Sequence, residues 1–133
     1  MRKTLTLIVC AAAVLMMFAT ACKKDSKSPQ ELILGKWKFD TYSYKEVDGG
    51  DIDEDTEDMS AANYYLDFRS DGKVYMYMYG DYDTASYSIP NAKSLIIDGD
   101  NVTLSTLSEK KFTIYYKETS TNYTYEDWYN FVK

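Results

Sequence analysis

Histidine is absent from this chain, so the commonest general base near neutral pH is missing. There are two cysteines, Cys10 and Cys22, and neither lies beside a partner with the spacing of a metal or redox motif. Serines and carboxylates are plentiful, yet no nucleophile-elbow pattern and no phosphate-cradling glycine loop occurs. Pairing of carboxylates for acid–base work is a spatial matter that the order of residues leaves open. Asp51, Asp53 and Asp55 alternate in the manner of calcium ligands. An EF-hand loop also needs glycine at its sixth place and glutamate at its twelfth. Thr56 and Ala62 stand there, so the pattern fails, and a solvated acidic stretch is the expectation. The sequence thus predicts a protein that is not an enzyme and that needs no metal and no cofactor.

Cys22 carries the one covalent chemistry that its surroundings favour. Arg2 and Lys3 begin the chain, Leu7 to Ala19 is unbroken apolar sequence, and small residues, Ala19-Thr20-Ala21, precede the cysteine. Charge, short apolar core and small-residue cleavage site make a secretory signal over residues 1–21. A membrane span needs about 20 apolar residues, and this run has 13. The segment Phe18-Ala19-Thr20-Ala21-Cys22 resembles the lipobox of bacterial lipoproteins, although Ala19 stands where that family usually has leucine. The resemblance implies an acylated Cys22 at the new terminus. Each buried methylene adds roughly 0.8 kcal/mol, so two or three chains would hold the molecule on a membrane. The expected location is the bacterial cell envelope, anchored by lipid at the outer membrane and facing the periplasm or the cell surface.

Removing the leader removes two of the 15 basic residues and none of the 21 acidic ones, which leaves a net charge near −8. Such a surface repels phosphate backbones, so nucleic acid is not an expected partner. The membrane contact then rests on the acyl group. The mature domain keeps no thiol and must be stable without disulfides.

Residues 22–30 are polar, contain Pro29 and read as a flexible tether. Residues 31–133 read as one all-β domain, a small antiparallel meander closing into a barrel. The 14 tyrosines favour strands, and turn signals recur at Asp71-Gly72, Gly80-Asp81, Pro90-Asn91, Asp98-Gly99-Asp100 and Ser108-Glu109. Several runs alternate with period two. Trp37, Phe39 and Thr41 share one face, as do Tyr64, Leu66 and Phe68, then Ala85, Tyr87 and Ile89, then Phe112, Ile114 and Tyr116. Leu95, Ile97, Val102 and Leu104 make a further hairpin. Between Phe68 and Val74 a type I turn with Gly72 left-handed sets those two residues opposite each other and sends Met76 and Met78 inward. A tighter turn would reverse the faces. Lys45 to Ser60, with eight acids, reads as a long solvated loop. Tyr123 to Lys133 reads as a closing strand in which Trp128 breaks the alternation, through a bulge or a short helical turn.

Gly35-Lys36-Trp37 resembles the Gly-x-Trp signature of lipocalins, in which the indole plugs one end of the barrel. With Phe68-Arg69-Ser70-Asp71-Gly72 and Tyr87-Ser88-Ile89, the stretch from Leu32 onward resembles the lipocalin-like domains of bacterial lipoproteins. Lipocalins usually stack an arginine of the last strand over the tryptophan. No arginine follows Arg69, so a lysine replaces it or the contact is missing. The chain is also short for a full eight-stranded calyx, so a shallower or filled barrel is expected. The resemblance implies binding of a small apolar or amphipathic ligand by Trp37, Phe39, Tyr64, Phe68, Met76, Met78 and Tyr87. The alternative is an interaction module that meets a protein or a glycan through Tyr75, Tyr77 and Tyr79, with Tyr65 alongside, because aromatic rings anchor interfaces.

Overall fold

The computed structural model describes residues 26–133, so Cys22 and the signal segment lie outside the described residues. A short helix, α1 (Pro29–Ile33), comes first. Ser28 Oγ accepts from the Glu31 amide, and the Glu31 carboxylate accepts from the Ser28 amide at 2.8 Å, a reciprocal cap, with Pro29 in the first turn. The tether expected over residues 22–30 therefore gives way to ordered helix at Ser28. Five residues cannot hold a helix alone. This one is docked by the fully buried Ile33 and by Gln30 Nε2, which donates to Ile89 O at 2.7 Å.

Nine strands follow: β1 (Gly35–Asp48), β2 (Asp51–Asp58), β3 (Tyr65–Phe68), β4 (Lys73–Met78), β5 (Asp81–Asn91), β6 (Ser94–Ile97), β7 (Asp100–Leu107), β8 (Lys111–Thr119) and β9 (Tyr123–Val132). All pairings are antiparallel. β3 to β9 run in sequence order, and β1 pairs with both β3 and β9, so eight strands close a barrel. Closure removes the free edges of those eight strands.

β1 forks at Asp40. Below it, Gly35 to Lys38 pair with β3; above it, Thr41 to Asp48 pair with β2. The ladder to β9 shifts by one residue between Phe39 and Thr41. Asp40 is the extra residue, and its carbonyl accepts from the Met59 amide at 2.8 Å instead. Such a bulge reverses which parity points inward. Trp37 and Phe39 face the lumen before it, and Tyr42 and Tyr44 after it. Thr41, expected on the face of Trp37, points outward for this reason.

The stretch expected as a solvated loop between residues 45 and 60 is a hairpin arm, with Val47 opposite Ile52 and Tyr44 opposite Asp55. Gly49 and Gly50, with φ of 58° and 101°, form its two-residue turn. Positive φ at both places matches strand twist, which overrides a composition that argues against a strand. Every residue of β2 is exposed, and its six acids occupy a free edge where charge discourages pairing with another chain.

The remaining turns follow the expected register, except that the one expected at Gly80-Asp81 falls at Tyr79-Gly80, with Met78 opposite Asp81, and that the one at Pro90-Asn91 moves as well. Phe68 faces Val74, and Met76 faces Leu66, as the type I turn requires. The turn expected at Pro90-Asn91 falls instead at Ala92-Lys93, after Asn91 pairs with Ser94. Pro90 sits where the β5 ladder skips, a place that tolerates a missing amide. β9 pairs with β8 without interruption from Thr124 to Val132, so the expected irregularity at Trp128 is absent.

The core fills the helix-capped end. Trp37, Phe39, Phe68 and Phe112 are fully buried. Phe112 meets Phe131 at 4.6 Å between ring centroids and Trp37 edge-on at 4.9 Å. Each buried side chain of this size contributes roughly 2 to 3 kcal/mol. Trp37 Nε1 donates to Ile33 O at 2.6 Å, and Lys133 Nζ lies 4.3 Å above the indole. The cation over the indole is thus a lysine, the last residue of the chain. Burial pulls its ammonium below the ordinary lysine range.

Candidate functional site

The seven residues named as ligand contacts divide between the two ends of the barrel. Trp37, Phe39 and Phe68 lie in the packed end and are at most 2% exposed. They line no opening there. Tyr87 stacks edge-on to Phe68 at 4.9 Å and donates its hydroxyl to Arg69 O at 2.8 Å. Its edge borders an external groove of about 480 Å³ between α1 and β5, with Leu34, Ile89 and Pro90. Tyr64, Met76 and Met78 are half-buried and pack on the top of the core. These three belong to the open end.

The open end is built mainly by β9 and by β1 above its bulge. In β9 the inward set is Tyr123, Tyr125, Asp127, Tyr129 and Phe131, an unbroken alternation. The sequence reading centred on Trp128, which faces outward against Tyr115 at 5.5 Å. Asp127 is the residue it missed. The odd-numbered aromatic spacing on either side, Tyr125 and Tyr129, is the signal that would have placed it inside. Tyr42 and Tyr44 were missed because the parity change at Asp40 leaves no mark in composition.

Asp127 is only 6% exposed. Tyr42 Oη donates to its Oδ1 at 2.7 Å, and Tyr125 Oη lies 3.0 Å from Tyr42 Oη. No ion pair among the described residues includes it. The ring of Tyr42 sits 5.2 Å from that of Tyr129, and Tyr44 sits 6.5 Å from Tyr125. Tyr64 and Tyr79 meet at 5.0 Å on the facing wall. Burial, then hydrogen bonding to Tyr125 and Asp127, pushes the Tyr42 phenol far above its ordinary value. Burial and then the Asp127 charge push Tyr129 the same way. Beside this cluster a cavity of about 590 Å³ opens where β7 ends short of β8. Val102, Ile114, Tyr116, Asp127 and Tyr129 are among its walls.

Above the mouth the sheet continues as the ribbon of β2, β1, β9 and β8. Opposed residues of a ladder share a face. The lumen-side face therefore carries Glu46, Asp48, Asp51, Asp53, Asp55 and Glu57 from the hairpin, and Glu118 from β8. It carries no lysine or arginine. Tyr44 Oη donates to Asp53 at 3.2 Å across it. Burial and then Glu46 and Glu118 raise the Tyr123 phenol. The lysines of the ribbon, Lys45 and Lys117, are on the other face, paired with Glu54 and Glu126 at 3.7 and 3.3 Å.

A second aromatic patch lies outside the barrel. Tyr65 faces Tyr77, and Tyr77 faces Tyr82, across β3, β4 and β5. Lys36 Nζ is 3.5 Å over Tyr65, and the Arg69 guanidinium is 4.2 Å over Tyr75. Tyr79, expected in this stripe, has φ 54° in the Tyr79-Gly80 turn and leans to Tyr64 instead. Tyr82, 78% exposed and 4.7 Å from Tyr77, stands in its place.

Fold and geometry together define a closed eight-stranded barrel, filled at one end and tyrosine-lined at the other. Compared with known proteins, the chain matches no family model and no curated protein at a significant level. Among the described residues, no cluster of three or more histidine, cysteine, aspartate or glutamate side chains is arranged to hold a metal ion.

Proposed function

We propose that this is an exported lipoprotein, held to a bacterial envelope membrane through Cys22, whose lipocalin-like barrel binds a small amphipathic ligand at its open mouth. The observation that carries the reading is the contrast within the lumen. The deep half is occupied by its own rings, whereas the upper half offers half-buried apolar side chains and one buried carboxylate beside a cavity of about 590 Å³. Ligand sites are mostly apolar concavities with few convergent polar groups, and this mouth has that composition. Of the residues first named, Tyr64, Met76 and Met78 lie across the open end from that cavity and do not border it; the contacts in this reading are Val102, Ile114, Asp127 and Tyr129.

Two measurements test it. Cys22→Ala should release the protein from membranes and abolish incorporation of labelled palmitate; a variant still acylated or still membrane-bound ends the anchoring half. Native mass spectrometry of the protein from its own host should reveal a small-molecule adduct that Ile114→Asp and Tyr129→Ala remove. Protein that stays ligand-free against a broad amphiphile screen ends the binding half.

A second reading rests on the external patch, where Tyr65, Tyr75, Tyr77 and Tyr82 present ring faces beside Lys36 and Arg69. Exposed contiguous aromatics mark interaction surfaces. Under this reading a protein or glycan docks there, and Tyr75→Ser with Tyr77→Ser would abolish docking without unfolding the barrel.

A further inference from the structure

We infer that the ligand seated in the mouth is an organic cation, an ammonium group on an apolar body, whose charge rests against Asp127 beside the rings of Tyr116 and Tyr129. This rests on the mouth being the binding site and adds the sign and chemistry of the ligand.

A buried carboxylate without a counter-charge is costly, and tyrosine hydroxyls satisfy its hydrogen bonding without neutralising it. Asp127 is in that position: 6% exposed, bonded by Tyr42 Oη at 2.7 Å, and in no ion pair among the described residues. The only base bordering the cavity, Lys117, is engaged with Glu126 on the outer face of the ribbon. The site therefore gains most from a ligand that brings positive charge. The rings beside it supply the rest. Aromatic faces attract cations, most strongly where water is excluded, and Tyr116, opposite Asp127 in the ladder, and Tyr129 both border the cavity beside it. Ile114 and Val102 line the cavity for the apolar part.

The approach has the same sign. Seven further carboxylates, from Glu46 to Glu57 on the hairpin and Glu118 on β8, face the lumen side above the mouth with no base among them. One-signed charge lining an entrance concentrates ligands of the opposite sign. An anionic ligand would be repelled at the ribbon and again at Asp127. A neutral one would leave Asp127 more desolvated and still unbalanced.

The test uses the full lipid-bearing chain in nanodiscs, with empty nanodiscs as the blank. The probes are benzyltrimethylammonium, benzyl alcohol and phenylmethanesulfonate, which share a ring and differ in charge. Saturation-transfer NMR should show the ammonium binding at least about tenfold tighter than the alcohol, with the sulfonate not bound, a size that a partly desolvated charge contact supports. Asp127→Asn keeps the shape and the bond from Tyr42, and should bring the ammonium down to the affinity of the alcohol. Should that variant not fold, the backbone amide shifts of Asp127 and Tyr129 in the unaltered protein give the answer, since they should move on ammonium addition. Equal binding of ammonium and alcohol, a preference that survives Asp127→Asn, or unmoved amides would each overturn the inference while leaving an amphipathic mouth intact. Binding of none of the three would overturn the mouth as a site, and the inference with it.

Discussion

The helix-capped end and the open mouth are both made of aromatic side chains on the inner face of one sheet, but they differ in company. At the capped end the rings of Trp37, Phe68, Phe112 and Phe131 touch one another, and the one polar atom, Trp37 Nε1, is taken by Ile33 O. At the mouth the rings are phenols, each with a hydroxyl that must find a partner. Tyr42 donates to Asp127 and meets Tyr125, and Tyr44 donates to Asp53. Phenylalanine therefore fills space, whereas tyrosine keeps a wet, polar rim on an apolar wall. One end carries stability, and in the proposed function the other carries recognition.

The largest effect that could break this comparison comes from truncating each end. Phe112→Ala should destabilise by about 3 to 5 kcal/mol in urea unfolding, since it opens a cavity among packed rings. Tyr129→Ala should cost about 1 to 2 kcal/mol and yet remove ligand binding. Equal losses would erase the distinction between the ends.

Alkaline pH sharpens it next. Tyr42 has a folded pKa raised above its ordinary value of 10.0, and Tyr129 is shifted in the same direction. The folded state then holds phenolic protons that the unfolded chain releases. Their contribution is whole below pH 10 and declines as the pH rises beyond it. Thermal melts from pH 8 to 11 should show a falling midpoint in the native protein and a shallower fall in Tyr42→Phe. An unchanged slope would mean that the mouth is as permissive to charge as the solvent.

Smaller changes separate the capped end from the ribbon. Ser28→Ala should cost about 1 kcal/mol by removing the helix cap. Gly50→Ala, at φ 101°, should cost a similar amount, about 1 kcal/mol, but confined to the hairpin. Hydrogen exchange would then quicken in β2 and not in β6 or β7. Smallest of all, Lys45→Ala should change stability by less than about 0.5 kcal/mol, because its pair with Glu54 is exposed.

The order of residues already determined the all-β class, the inward faces of the strands from β3 to β8, and the pairing of Phe68 with Val74. Those features are local: alternation marks a face, and a turn of given length sets the register. The expectation of a leader and of a lipid on Cys22 likewise rests on adjacent residues alone. The tertiary structure decided the rest. It placed the Asp40 bulge, because the fork exists only where β2, β3 and β9 meet one strand, and that bulge carries Tyr42 and Tyr44 inward. It turned an acidic stretch into a ribbon, since β9 supplies β1 with a partner far beyond the hairpin. It also buried Asp127, whose hydroxyl partner Tyr42 is 85 residues away in the chain, and the energetics of a buried charge depend on neighbours in space, not in sequence.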